Sequence, residues 1–125
     1  MVVLIRDYAE SLAFYQAAFD ARVLFDAPSP TGDRYLHVGF GPDGSAGVWF
    51  LRAEGETASR VGHQTGGEPL AVFYTPDVRA AVARAAAAGA AIVRPIESAA
   101  GASFAHVADL YGNIFVLVEL SPPSV

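Results

Sequence analysis

Cysteine is absent from this chain, and so is lysine. Without thiols there can be no disulfide, no cysteine nucleophile and no thiolate metal site. Without a side-chain amine there can be no lysine Schiff base and no Walker-type phosphate lysine. All eight basic residues are arginine, and they are scattered along a chain of net charge −5, so no basic stripe suits a nucleic acid. No apolar run reaches the roughly 18–20 residues that span a bilayer. The opening Met1-Val2-Val3-Leu4-Ile5-Arg6-Asp7 lacks the basic region and cleavage pattern of a signal peptide, so a cytoplasmic location is the default expectation. Chemistry is left to His37, His63 and His106, to carboxylates, tyrosine and arginine, or to a cofactor.

What the chain does have is an internal repeat. Asp7 opens a helix-like run ending at Phe19 and followed by Val23-Leu24-Phe25; Asp77 opens another, ending at Gly89 and followed by Ile92-Val93. Arg34-Tyr35-Leu36-His37-Val38 then matches Ser103-Phe104-Ala105-His106-Val107, and Val48-Trp49-Phe50-Leu51 matches Ile114-Phe115-Val116-Leu117. The pattern predicts two copies of strand–helix–strand–strand–strand, about 2–52 and 69–120, joined by a linker of about 53–68. At 125 residues and 53% hydrophobic content, the chain fits one folded domain. One copy alone cannot bury both faces of its sheet. The copies must therefore pack together, and the seam between them is the natural place for a site.

Local signals set the elements. Asp7 is a good helix cap with Glu10 three residues on, and Tyr8, Leu12, Tyr15 and Phe19 recur at helical spacing. Pro28-Ser29-Pro30 ends the second strand, and Gly41-Pro42-Asp43-Gly44 reads as a hairpin turn. Asp77 caps an alanine-rich helix stopped by Gly89. The next strand is expected at about 91–94. Asp109-Leu110-Tyr111-Gly112-Asn113 forms the last tight turn, and Ser121-Pro122-Pro123-Ser124 is a tail.

Asp7-Tyr8-Ala9-Glu10-Ser11-Leu12-Ala13-Phe14-Tyr15 with Phe19, then Thr75-Pro76-Asp77-Val78, Ala88-Gly89-Ala90 and Asp109-Leu110-Tyr111-Gly112-Asn113, resemble the vicinal oxygen chelate superfamily. That superfamily includes glyoxalase I, extradiol dioxygenases and the fosfomycin- and bleomycin-resistance proteins. Val61-Gly62-His63-Gln64-Thr65-Gly66-Gly67 is similar to a glyoxalase-like subgroup. The resemblance implies an α+β fold of two tandem βαβββ modules forming a curved mixed β-sheet around a cleft. Metal enzymes of the family carry ligands on the first and fourth strands of each module. The corresponding positions here fall before Met1 and at Phe50, Ala71 and Val116, and these side chains offer a metal no lone pair. No metal and no cofactor are expected at the usual site.

Period-two alternation places Val48, Phe50 and Arg52 toward the cleft with Ala71, Phe73 and Thr75, and Trp49 and Leu51 against the helices. The expected ligand-binding set is Tyr35, His37, Phe50, Phe73, Phe104 and His106. Aromatic residues standing where metal ligands would be suit a planar or apolar small molecule. The repeat-related His37 and His106 read as ordinary strand residues, as polar contacts for a ligand, or as two metal-binding imidazoles. Arg34 and Arg52 fit solubility or an anion anchor, and His63 fits a solvated loop. The leading expectation is a metal-independent small-molecule binding protein, homodimeric, with no membrane partner. The alternatives are a lyase, isomerase or dioxygenase-like enzyme with an atypical metal or histidine site, or a partner-binding domain with a filled cleft.

Overall fold

Asp7 and Asp77 each leave the extended backbone and turn their carboxylates onto the N–H three residues ahead, at Glu10 (2.7 Å) and Ala80 (3.1 Å). Each cap satisfies one of the donors that a helix start leaves open. Around these caps a computed structural model, which describes residues 1–41 and 46–121, builds the repeat. The first module is β1 (Val2–Ile5), α1 (Tyr8–Phe19), β2 (Arg22–Pro28), β3 (Arg34–Gly39) and β4 (Gly47–Arg52). A 3-10 segment, Gly55–Arg60, lies in the linker. The second module is β5 (Pro69–Tyr74), α2 (Val78–Ala87), β6 (Ala91–Ala99), β7 (Ala102–Ala108) and β8 (Ile114–Leu120). The turn expected at Pro42-Asp43-Gly44 and the tail residues Pro122, Pro123 and Ser124 lie outside the described residues.

The two sheets have the same order, β1-β4-β3-β2 and β5-β8-β7-β6, each with one parallel and two antiparallel pairings. The fold is α+β with two tandem modules, as the repeat predicts. Strand β6 runs on to Ala99, well past the expected end near Arg94. It lies at the sheet edge, where the missing N–H of Pro95 breaks no ladder, and its register shifts on both sides of Arg94 absorb the irregularity.

One core serves both modules. Val3, Ile5, Leu36, Val38, Val48 and Phe50 from the first sheet meet Ala105, Val107, Phe115 and Leu117 from the second, with Tyr15, Ala18, Val82 and Ala85 of the helices between them. Tyr15 is the hub: its ring stands edge-on to Phe50 (4.9 Å) and Phe115 (6.0 Å), one from each sheet. Such pairs contribute roughly 0.5–1.5 kcal/mol each beyond area burial. The seam between the modules is therefore packed at its centre, and the other face of each sheet is turned outward.

The linker is tied down by residues of the glycine-rich motif. Val61 is buried in the interior. Gly62, at φ +80°, lies so close to Tyr111 that a Cβ would stand 1.9 Å from its carbonyl oxygen. The Gln64 amide donates to the Val2 carbonyl (2.8 Å) and accepts from the Leu4 N–H (2.9 Å), occupying the open edge of β1 as a peptide group would.

Candidate functional site

The outward face of the first sheet follows from register. His37 lies directly across from Phe25 on one side and Trp49 on the other, so all three side chains share a face, and Tyr35 joins them two residues along β3. Ring centroids lie 5.5 Å (Phe25–His37), 6.4 Å (His37–Trp49) and 6.1 Å (Tyr35–Trp49) apart. These four side chains line an open, apolar depression of about 320 Å³. The indole N–H of Trp49 is buried and finds no acceptor among the described residues.

The second sheet has an equivalent outward face. Phe104 pairs with Val118, His106 with Val116, and these with Tyr74 and Val72 of β5. Tyr74 is 70% exposed and Val72 49%. Arg94 lies across from His106 and is paired with Glu97 at 3.4 Å.

The expected set is thus divided. Tyr35 and His37 lie together on one outward face, and Phe104 and His106 on the other. Phe50 and Phe73 are corrections. Phe50 is fully buried against Tyr15 of α1, and Phe73 packs on the helix side with Phe19 (5.4 Å), Phe40 (4.6 Å) and Phe115 (5.0 Å). The faces are the reverse of those expected: Val48 and Phe50 point to the helices, and Trp49 and Leu51 point away. Both faces of β4 are apolar, so alternation defines two sets without saying which is inside. Phe25 and Trp49, absent from the expected set, belong to the depression. Their signal was the pairing of the Val23-Leu24-Phe25 run with β3, visible once His37 is placed.

A family-type metal would draw its ligands from the outward positions of the first and fourth strands of each module. The outward positions are Val2 and Leu4 on β1, Trp49 and Leu51 on β4, Val72 and Tyr74 on β5, and Val116 and Val118 on β8. Only the Tyr74 phenol among them has an oxygen to offer, which does not fit a divalent ion. Among the described residues, no three His, Asp or Glu side chains group closely enough to hold one elsewhere.

Apart from His63, the polar side chains near these faces and at the seam have structural partners. Glu119 accepts the Val78 N–H (2.8 Å), adding a second cap to α2. Arg34 forms a two-point pair with Asp26, whose carboxyl is held below its usual range chiefly by the hydrogen bond from that guanidinium. Arg52 reaches Asp33 and Glu54. The Tyr8 phenol donates to Asp33 (2.6 Å), and burial, followed by that bond, raises its pKa. Tyr111 sends its hydroxyl to Glu10 (2.9 Å), near Ser11 (3.0 Å), and accepts the Asp7 N–H (3.2 Å), locking the last turn onto the start of α1. Buried Tyr15 donates to Asp109 (2.6 Å), and burial pushes its phenol well above the usual range. His63 is exposed on the linker.

Two back-to-back βαβββ modules, with helices inside and ligand-sized faces outside, fit the family whose model matches residues 1–117. The chain belongs to the Glyoxalase/Bleomycin resistance protein/Dioxygenase superfamily. Among solved structures it is similar to UcmS2, with a TM-score of 0.80 and 21% identity over 94% of this chain and 93% of that one. It is similar to TnmS3, described as an antibiotic binding protein from Streptomyces sp. CB03234, with a TM-score of 0.76 and 21% identity over 97% and 93%. TioX from Micromonospora sp. ML1 aligns at 0.65 and 24% identity over 100% and 98%. These likenesses establish the fold. No curated protein sequence matches the chain. No helix among the described residues is long and apolar enough to cross a membrane.

Proposed function

We propose that this chain binds a small, planar and largely apolar molecule on the outward faces of its sheets, without a metal ion. We further propose that a second copy supplies the opposite wall. The observation that carries the reading is the aromatic depression of Phe25, Tyr35, His37 and Trp49, left open on a sheet whose other face is already the core. Exposed Phe25, Val72, Tyr74 and Leu120 leave apolar area on both sheets, which favours an interaction surface. The repeat makes pairing natural. A two-fold axis that sets the first sheet of one copy against the second sheet of the other generates two identical composite sites. His37 of one wall and His106 of the other then orient the ligand's polar groups. The description of TnmS3 as an antibiotic binding protein supports the same class of function.

The single tryptophan, Trp49, reports on this site directly. Planar aromatic molecules of two to four fused rings should change its emission with micromolar affinity, roughly −8 kcal/mol. Phe25→Ala should weaken that binding by about three- to tenfold, the loss of one stacking contact. Unchanged emission at saturating probe would reject the ligand site. A monomer mass by sedimentation equilibrium at micromolar concentration would reject the two-copy arrangement.

A further inference from the structure

A second cavity, of about 570 Å³, opens on the helix side of the sheets, between the end of α1 and the start of α2. It shares no lining residue with the depression of Phe25, Tyr35, His37 and Trp49 and meets the outward face of the second sheet only at Tyr74. Its floor is the packed rings of Phe19, Phe40 and Phe73, which join both modules. Its rim carries Asp20, Asp77 and Arg84. We propose that this cavity is a distinct binding site for a small apolar molecule bearing a protonated amine.

Charge decides between amine and acid. Two of the N-terminal donors of α2, where an anion would settle, are already taken by carboxylates: Val78 N–H by Glu119 and Ala80 N–H by Asp77. The rim then offers two carboxylates against one guanidinium. Arg84 is held only loosely by Asp20, at 3.8 Å, with both side chains more than half exposed. Asp20 also sits at the C-terminal end of α1, where the helix dipole favours positive charge. An apolar body on the phenyl floor places its ammonium beside Asp20 and Asp77, displacing the weak Arg84 contact. The rings add attraction for a cation at their faces.

Calorimetric titration of the whole protein with 4-phenylbutylamine, against 4-phenylbutyrate as the oppositely charged molecule of like body, tests this. The amine should bind at least about fivefold more tightly than the acid. Asp20→Asn should weaken the amine about threefold, and Arg84→Gln should tighten it by a similar factor, the scale of one exposed charge pair. A gain of affinity in Arg84→Gln cannot come from misfolding. Ala81→Leu, which fills the cavity from α2, should abolish binding while Trp49 emission stays unchanged throughout. Equal affinity for amine and acid, binding that survives Ala81→Leu in a folded variant, a shift of Trp49 emission, or no heat at millimolar amine would each overturn the proposal. Apart from the Trp49 emission, which reports on the outward face of the first sheet, none of these outcomes depends on whether the outward faces bind a ligand.

Discussion

Replacing Tyr15 by phenylalanine removes one oxygen and leaves the ring. The ring packs against Phe50 and Phe115, so those contacts persist, and the change isolates the hydroxyl's 2.6 Å bond to Asp109. Asp109 is buried, but it still accepts from the Asn113 side chain and from the backbone N–H groups of Tyr111 and Asn113. The carboxylate is therefore not left bare, and the loss stays within the range for a bond to a charged partner, about 1.5–3 kcal/mol. For a domain of this size that lowers the melting temperature by roughly 5–12 °C. The same phenol gives a second readout. Its folded pKa lies well above the unfolded value of 10.0, so its contribution is complete below pH 10 and is lost as pH rises toward the folded pKa. The parent protein should therefore lose stability above about pH 10. Tyr15→Phe should flatten most of that slope, with the smaller share from Tyr8 remaining. Urea unfolding at fixed protein concentration, from pH 7 to 11, measures both. A melting temperature within a degree of the parent, or an unchanged alkaline slope, would refute the proposed strength of the bond across the seam.

Phe50→Ala should destabilise the fold by about 3–5 kcal/mol in chemical unfolding, because it empties a fully buried ring site under Tyr15. Gly62→Ala should fail to fold or lose several degrees in thermal melting, since the new Cβ meets the Tyr111 carbonyl at 1.9 Å on a left-handed backbone. Gln64→Ala removes both side-chain bonds to β1, so hydrogen exchange at Leu4 should accelerate and stability should fall by about 1–2 kcal/mol.

The repeat is legible in the amino-acid sequence, because caps, periodicity and turns are local signals. Asp7 and Asp77 cap as their spacing implies, and Gly89 adopts the left-handed backbone that ends α2. The sequence also limits the site chemistry, since no register brings a set of metal-ligating side chains to the first and fourth strands. What the sequence leaves open is direction. Trp49 and Phe50 are adjacent, apolar and equally at home in a strand, and strand alternation has the same period whichever face is buried. Only the tertiary packing of α1 chose between them. Tyr15 took Phe50 and Phe115, one from each sheet, and left Trp49 outside with Phe25, Tyr35 and His37. That choice placed the shared core at the seam and turned both candidate faces outward. The contacts that made it join residues far apart in the chain, so no local pattern records them.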